Sequence, residues 1–476
     1  METQEIESSE QPMLRKILAA LTGIIIGAAV AMYPPVEGLD VSAMRALGVL
    51  SWAILWWVFD VIPEYVTSIM MCTLFVILGL VPTEIAFASF SGSTFWMLLG
   101  ALGLGVGISE SGLLVRIALY ILRIFPSNFK GKIIGLLGAG VITAPFVPSL
   151  TAKVVMLAPI TEAMSDALGY KRKGREASAL FLAMFTGVRN MAPVFLSASV
   201  MGYLLLGLYP PSVQAQFNMI YWFLCALPWG IAMSILNYFS IIYMFKPEKE
   251  QAAEENYVND RIAELGPMNK KERIMLGIII LTVFLWAAEP WHGIASHLVA
   301  LLGLSLTLSL GVFEREKFRS LIAWDSLIFI CAVLNLTPVF KILHINEWIL
   351  AMFSPIMQQL TVNPYLFILG LALITVIVRF VIISEMAFIS IFMVFLVPLV
   401  MQAGINPWVA GMIIYVMVTP WFVLYENSLF LAAHYSVNGE MVEFSEMARF
   451  CVVYLANSLI ALLLCVPYWQ YLHLLP

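Results

Sequence analysis

About one third of the way along the chain, the sequence reads APFVPSLTAK at residues 144–153. This stretch interrupts an apolar segment, residues 131–168, that is long enough to cross a membrane. Its two prolines and two hydroxyl residues disfavour a continuous helix and favour a turn with free backbone groups. We therefore expect two helical arms joined by a turn near Ser149.

Basic residues flank this segment on both sides. Lys130 and Lys132 precede it, and KRKGR follows it at residues 171–175. A single crossing would place one basic cluster outside the cell, against the positive-inside tendency of membrane proteins. A hairpin that enters from the cytoplasm and returns leaves both clusters inside. The sequence therefore predicts a re-entrant hairpin over residues 131–168.

The composition places the whole chain in a membrane. Of its 476 residues, 61% are hydrophobic and only 12% are charged, and the mean hydropathy is +0.93. A soluble domain carries about 25% charged residues. We expect an all-α integral membrane protein with about 11 transmembrane helices, embedded in the lipid bilayer of a cell membrane. No nucleic-acid partner is expected.

The order of the predicted segments divides the chain into two similar halves. A polar tail (residues 1–13) precedes a first helix and a first repeat (14–245), and a cytoplasmic linker (246–273) precedes a second repeat (274–476). The second repeat contains a matching interrupted segment at 364–404, which has no basic cluster at either end. We therefore expect this hairpin to enter from the opposite face, so that the repeats are inverted.

The N-terminus is expected in the cytoplasm, because Arg15 and Lys16 precede the first apolar run. Each hairpin is followed by an apolar span with a polar interruption, over residues 186–199 and 419–428. In inverted-repeat carriers, broken helices at bilayer depth provide the substrate site. The candidate binding residues in these spans are Arg189, Ser197, Ser199, Tyr425 and Asn427. The architecture therefore predicts a secondary transporter.

At these residues, the chain resembles the divalent anion/sodium symporter family of dicarboxylate and citrate carriers. Nearly the whole length from about residue 40 takes part, including ESGLLVRIAL at 110–119 and the stretch from IAWD at 322–325 to Trp348. The resemblance implies a homodimer whose substrate domain moves like an elevator. It also implies a Ser-Asn-Thr triplet at each hairpin tip, which binds substrate carboxylates and, in symporters, two sodium ions.

The resemblance, with its spacing to Pro159 and Pro398, assigns both triplets. They fall at Ser149, Leu150 and Thr151 in the first hairpin and at Phe388, Ile389 and Ser390 in the second. Both asparagine positions thus hold aliphatic residues, which lack the hard oxygen ligands that a sodium site needs. We therefore expect transport that does not depend on sodium.

Lys153 lies four residues after Ser149, where the antiporter branch of the family often has a basic residue. A fixed ammonium at this place would supply the charge that sodium supplies in symporters. An empty site would then hold a costly buried cation, which predicts that the carrier returns loaded. Two alternatives stay open: Lys153 pairs with a buried acid, or it extends to the membrane interface.

Four other charged residues lie in predicted membrane segments. Arg189 either binds a carboxylate with two hydrogen bonds or caps nearby carbonyls. Arg379 and Glu385 are expected to have structural roles. Glu426 is either a proton-coupling acid or a residue at the rim of the site.

The sequence therefore predicts a carrier of small organic anions, di- or tricarboxylates, that works by sodium-independent exchange. The alternative within transport is a sodium- or proton-coupled symporter. A membrane enzyme or a sensor is disfavoured, because no HExxH, GxSxG or paired-acid pattern occurs and the linker and tails are too short for a signalling module. No cofactor or metal centre is expected, since the cysteines and histidines are scattered.

Overall fold

The computed structural model describes residues 2–247, 256–422 and 427–476, and within these ranges the chain contains helices and no strands. The predicted all-α fold is confirmed. The first half forms α1 (Glu2–Met32), α2 (Val41–Val58), α3 (Glu64–Ile77), α4 (Thr83–Ala86), α5 (Ser93–Ser111), α6 (Leu113–Ile124), α7 (Phe129–Thr143), α8 (Leu150–Ala167), α9 (Arg175–Asn190), α10 (Val200–Leu208), α11 (Pro211–Gln214) and α12 (Met219–Met244).

The second half repeats this pattern of long and short helices. It forms α13 (Asn256–Leu265), α14 (Lys270–Ala287), α15 (Glu289–His292), α16 (Ser296–Ser309), α17 (Arg315–Leu321), α18 (Trp324–Leu334), α19 (Leu336–Ile342), α20 (Ile345–Thr361), α21 (Pro364–Arg379), α22 (Glu385–Gln402), α23 (Pro407–Met417), α24 (Ser428–Tyr435) and α25 (Phe444–Tyr471). Short 3-10 turns lie at Ala88–Phe90, Ala144–Phe146 and Leu196–Ala198.

Many of these helices suit a bilayer. Within the described ranges, eight helical stretches are long and apolar enough to cross one, and four shorter apolar helices (α3, α16, α21 and α23) accompany them. Large apolar side chains remain exposed on several, among them Ile25 (66%), Leu373 (61%) and Leu464 (63%). Such surfaces are stable against lipid tails and costly in water.

Two helices begin earlier than the sequence analysis placed them. Helix α1 starts at Glu2, inside the predicted polar tail, and α14 starts at Lys270, inside the predicted linker. The early start of α14 has a local cause. The Asn269 side chain accepts a hydrogen bond from the Glu272 backbone N–H at 2.9 Å, and the Glu272 carboxylate accepts one from the Asn269 N–H at 2.7 Å. This capping box stabilises the first turn of α14 before the apolar run begins.

The two halves pack on each other in matching pairs. Helix α5 packs against α16, and the equivalent helices with the halves exchanged, α18 and α3, also pack together. Likewise, α10 packs against α22, and α24 packs against α8. Each contact therefore has a counterpart in which the two halves trade places, as expected for two copies of one structural unit.

The two interrupted segments have the same construction. Helices α7 and α8 are joined at residues 144–149, and both pack against α9; helices α21 and α22 are joined at residues 380–384, and both pack against α23. In the first pair the contact is especially close, because a Cβ on Gly140 would lie 2.0 Å from the carbonyl carbon of Gly187. Only glycine allows the backbones of α7 and α9 to approach this far.

Each of these three-helix units ends in a break. Helix α9 ends at Asn190 and α10 begins at Val200, while α23 ends at Met417 and α24 begins at Ser428. Because α10 packs on α22 and α24 packs on α8, each segment after a break lies beside the hairpin of the other half. The breaks and the hairpin turns therefore meet in the middle of the molecule.

Candidate functional site

Two serines cap the helices that follow the hairpin turns. Ser149 Oγ accepts a hydrogen bond from the Ala152 backbone N–H at 3.2 Å, and Ser384 Oγ accepts one from the Ala387 N–H at 3.2 Å. The sequences SLTA and SEMA are thus structurally equivalent starts of α8 and α22. The free N–H groups and the dipole give each helix start a partial positive charge.

Both capped turns line one cavity of about 1000 Å³. Its polar and charged lining in the described chain consists of Arg15, Lys16, Asp60, Glu64, Ser149, Thr151, Arg189, Ser199, Ser326, Arg379, Ser384, Glu385 and Ser428. A cavity of this volume is at the upper end of the range for small-molecule sites. Residues from both halves contribute to it.

Five predicted binding residues line this cavity: Ser149, Leu150, Thr151, Arg189 and Ser199. Ser197 does not. Its hydroxyl donates a hydrogen bond to the Pro145 carbonyl at 2.7 Å, which ties the helix break to the first hairpin turn. Tyr425 and Glu426 lie outside the described residues.

The structure contradicts the predicted position of the second triplet. Phe388, Ile389 and Ser390 are fully buried inside α22, and the Ser390 hydroxyl donates to the carbonyl four residues earlier at 2.7 Å. The cause is the Ser384 cap, which starts the helix at Glu385. The turn that faces the cavity is therefore four residues closer to the N-terminus than the spacing to Pro398 suggests.

Lys153 is fully buried on α8, one turn after Ser149. Its Nζ donates a hydrogen bond to the Ala198 carbonyl at 3.2 Å, in the break between α9 and α10. No carboxylate of the described chain pairs with it, and its side chain does not extend to the surface. The structure thus supports neither alternative: the ammonium lies behind the cavity wall and is bonded to a backbone carbonyl.

Arg379 makes the corresponding link in the second half. It is the last residue of α21 and is 4% exposed. Its Nε donates to the Val418 carbonyl at 3.1 Å, and its Nη1 donates to the Ile382 carbonyl at 2.5 Å and to the Ile383 carbonyl. Val418 directly follows α23, so the guanidinium holds the second hairpin turn against the second helix break.

An ion pair joins the two halves at the cavity. Arg189, in the last turn of α9, donates from Nη2 to Glu385 Oε1 at 2.6 Å, and Glu385 is the first residue of α22. Asn427 Nδ2 donates to the same oxygen at 3.3 Å and to the Thr419 carbonyl at 3.2 Å. Arg189 thus contacts a carboxylate of this chain through one hydrogen bond, and not through the two that were predicted for a bound carboxylate.

Charges at the mouth of the cavity balance one another. Lys16 on α1 pairs with Asp60 at 3.2 Å, and both are largely exposed. Arg15 and Glu64 also belong to the lining. These four residues contribute two charges of each sign, so they add no net charge to the cavity when all are ionised.

Three basic side chains lie at the inner end of the cavity. Lys153, Arg189 and Arg379 are buried there, and Glu385 forms an ion pair with Arg189. The N-termini of α8 and α22 face the same cavity. Such an arrangement is suited to binding an anion with more than one negative charge.

Ser384 was not among the predicted site residues, whereas Arg379 was expected to be structural, in agreement with its bonds to backbone carbonyls. One signal was present in the chain: a serine followed three residues later by an alanine occurs at each turn, at residues 149–152 and 384–387. Matching these two starts, and not the distances to the following prolines, aligns the hairpins as the structure has them.

Comparison with known families agrees with this arrangement. The family described as "Sodium:sulfate symporter transmembrane region" matches residues 14–475, which is nearly the whole chain. The chain belongs to this family. A member of the sodium:sulfate symporter family is a multi-pass membrane transporter and not an enzyme, in agreement with the class predicted from the sequence.

Curated relatives of this family member are named as carriers. Dicarboxylate transporter 2 of Spinacia oleracea chloroplasts is 25% identical over 341 residues, covering 70% of this chain and 60% of that protein. The putative malate transporter YflS of Bacillus subtilis is 23% identical over 340 residues (70% and 71%). The citrate/succinate antiporter of Escherichia coli K12 is 27% identical over 256 residues (51% and 51%). The matched regions therefore span about half to seven tenths of these relatives.

Solved structures share the fold of this family member at low sequence identity. Neisseria gonorrhoeae MtrF, described as one of a class of antimetabolite efflux pumps, superimposes with a TM-score of 0.60 at 16% identity, covering 96% of this chain and 94% of that chain. The YdaH transporter of Alcanivorax borkumensis also gives 0.60 at 14% identity, covering 98% and 100%. Both are membrane transporters, so the fold is that of an all-α membrane transporter.

Proposed function

We propose that the protein exchanges small organic anions, di- or tricarboxylates, across the cytoplasmic membrane without using sodium. One observation carries the proposal. Lys153 and Arg379 bond to carbonyls at the two helix breaks beside the hairpin turns. Free carbonyls beside a hairpin turn are ligands of the kind that a bound hard cation needs. Here a fixed basic side chain already occupies each group of carbonyls.

Exchange follows from the fixed charges. The empty carrier holds the buried ammonium of Lys153, which pairs with no carboxylate of the described chain, and moving this charge across the bilayer interior is expensive. A bound anion offsets it. The loaded carrier therefore crosses at a lower energetic cost than the empty one, and each outward step is coupled to an inward step with another anion.

The same charges favour a carboxylate cargo with two or three negative groups. Arg189 offers a planar guanidinium that binds carboxylates, and the N-termini of α8 and α22 offer backbone N–H groups. The relatives named for dicarboxylates, malate and citrate/succinate exchange support this class of cargo. Leu150 lines the cavity where an asparagine would add a polar contact, which favours a cargo with an apolar carbon chain.

The proposal includes how the chain lies in the membrane and assembles. The basic residues around 131–168 favour a first hairpin that enters from the cytoplasm, an inverted second repeat and a cytoplasmic N-terminus. The matching helix contacts between the halves support two related repeats. A homodimer with an elevator-like substrate domain follows from the family resemblance, and cysteine cross-linking between purified protomers tests the dimer.

A ligand screen tests the cargo and the role of sodium. We expect purified protein in detergent to gain thermal stability with succinate, malate, citrate, tartrate or 2-oxoglutarate, equally in sodium and potassium buffers. Stabilisation that needs sodium would favour the sodium-coupled symporter instead. If no carboxylate of this panel stabilises the protein in either buffer, the organic-anion proposal is wrong.

A further inference from the structure

We infer that Glu385 is a built-in competitor of the substrate: in the empty site its carboxylate occupies Arg189, and a substrate carboxylate must displace it to bind. This inference rests on the proposed function, because it concerns the same cavity. It gives Glu385 a direct influence on affinity. It also assigns Arg189 as the guanidinium that the substrate binds.

The pair has the geometry of a replaceable contact. Arg189 and Glu385 both line the cavity, so an anion that enters reaches them without crossing a protein wall. Only the Nη2 group of Arg189 contacts Glu385, through a single oxygen at 2.6 Å. The Arg189 Nε is buried and has no hydrogen-bond partner in the described chain. A buried donor left unpaired is costly, so this guanidinium retains capacity for a better-fitting carboxylate.

A second buried ion pair in the same chain provides the contrast. Arg116 on α6 binds Glu272 on α14 through two hydrogen bonds, from Nε to Oε1 at 2.8 Å and from Nη2 to Oε2 at 3.1 Å. Its Nη1 also donates to the Gly266 carbonyl at 2.9 Å. These two side chains are 5% and 3% exposed, whereas Arg189 and Glu385 are 2% and 13% exposed. The Arg116–Glu272 pair thus has two hydrogen bonds and lies outside the cavity lining, whereas the Arg189–Glu385 pair has one hydrogen bond and a carboxylate that is open to the cavity.

Glu385 has other partners once it leaves Arg189. It is the first residue of α22, where the helix dipole and the free N–H groups stabilise a carboxylate. Asn427 already donates to its Oε1 at 3.3 Å. The displaced carboxylate therefore stays hydrogen-bonded near the cavity wall, and displacement costs less than the full loss of an ion pair.

Because Glu385 competes for Arg189, a substrate binds only if its interactions are stronger than those of this carboxylate. Glu385 is tethered beside Arg189, so it competes at a high effective concentration. An anion with a single carboxylate only replaces one carboxylate on Arg189 with another. An anion with a second carboxylate also reaches the backbone N–H groups at the start of α8, which lines the same cavity. Glu385 therefore selects against monocarboxylates.

Isothermal titration of the purified protein in sodium-free buffer tests the inference, with succinate and butyrate as probes. We expect Glu385→Gln to bind succinate at least about tenfold more tightly than the wild type, a change of about 1.4 kcal/mol. Butyrate, for which we expect no measurable binding to the wild type, should bind measurably to Glu385→Gln. Asp325→Asn removes an exposed carboxylate outside the cavity lining and should change succinate affinity less than about threefold.

The outcomes separate the two proposals. If the wild type binds succinate and Glu385→Gln binds it equally or more weakly, Glu385 is a structural anchor and the competitor role is wrong. Equal gains in Glu385→Gln and Asp325→Asn would also overturn it, because the effect would then be one of overall charge. If neither the wild type nor Glu385→Gln binds any carboxylate of the panel, the proposed function itself fails.

A second variant serves if Glu385→Gln does not fold. Glu385→Asp keeps the charge but shortens the reach to Arg189. An intermediate gain in succinate affinity in Glu385→Asp would support the competitor role, and no gain would overturn it.

Discussion

Each hairpin has a capping serine and a basic side chain at its turn, but the basic side chain comes from a different position in each. Each begins its second arm with a capping serine, and each is tied to the helix break of its own half by a basic side chain. In the first hairpin, that side chain is Lys153, four residues after Ser149. In the second, the equivalent position after Ser384 holds Phe388, and the cation comes from Arg379 at the end of the other arm. The location of the charge is shared by the two halves, although its position in the sequence is not.

The two cations also differ in how firmly they are held. Arg379 reaches three carbonyls, whereas Lys153 reaches one. A guanidinium with several acceptors stabilises the turn that it spans. A buried ammonium with one acceptor adds less stability and leaves more of its charge uncompensated. We therefore expect Arg379 to matter most for folding and Lys153 to matter most for the charge balance of transport.

The largest effect is expected for Arg379→Met, which leaves the carbonyls of residues 382, 383 and 418 without this donor. Because unpaired buried acceptors each cost about 1–3 kcal/mol, we expect a loss of about 4 kcal/mol in the free energy of unfolding. Unfolding in mixed micelles measures it, with the exposed Arg319→Met as control. A loss as small as that of the control would show that the guanidinium does not hold the turn.

Next in size is Arg189→Gln, which removes the guanidinium at the contact between the halves. Succinate affinity should fall about 100-fold, because a charged, desolvated contact contributes about 2–5 kcal/mol. Isothermal titration measures it, and Arg123→Gln on the exposed face of α6 should change nothing. Succinate affinity that stays within about threefold of the wild type would remove Arg189 from the binding site.

A smaller but more specific effect is expected for Lys153→Met, which keeps the volume and removes the charge. The empty carrier then no longer holds this buried ammonium, so it crosses more easily. We expect succinate uptake into vesicles without internal anion to rise about tenfold relative to exchange. The exposed Lys341→Met is the matched control. An unchanged ratio of uptake to exchange would show that Lys153 does not enforce the loaded return.

The smallest effects are expected for the capping serines, and they test whether Ser149 and Ser384 are equivalent helix caps. Ser149→Ala and Ser384→Ala should each cost about 1 kcal/mol, the usual value of a helix cap. Ser390→Ala should cost clearly less, because that hydroxyl bonds only within its own helix. Thermal unfolding of the three variants in detergent compares them. A larger cost at Ser390 than at Ser384 would mean that the second turn is placed wrongly.

Much of the fold follows from patterns within single segments. Apolar runs, flanking basic clusters and mid-segment prolines predict an all-α membrane protein with interrupted helices, and the breaks lie near Ser197 and in the stretch before Ser428. The first hairpin turn is found at Ser149 because proline and serine punctuate it. These features depend on the local preferences of neighbouring residues, so each can be predicted from a single segment.

The second turn and the ion pair were beyond the reach of those patterns. The family spacing to Pro398 placed the triplet at 388–390, whereas the cap of α22 is Ser384, four residues before Phe388. The partners Arg189 and Glu385 are 196 residues apart, and only the packing of the two halves brings them together. Charge alone did not reveal that an acid in the second hairpin neutralises an arginine of the first half.

Counterflow in proteoliposomes distinguishes anion exchange from cation-coupled transport. Purified protein is reconstituted without sodium, with or without internal succinate, and the uptake of labelled external succinate is followed. We predict rapid uptake into vesicles that contain succinate, slow uptake into empty vesicles, and no stimulation by an inward sodium gradient. Equal uptake into loaded and empty vesicles, driven by a sodium or proton gradient, would contradict the account.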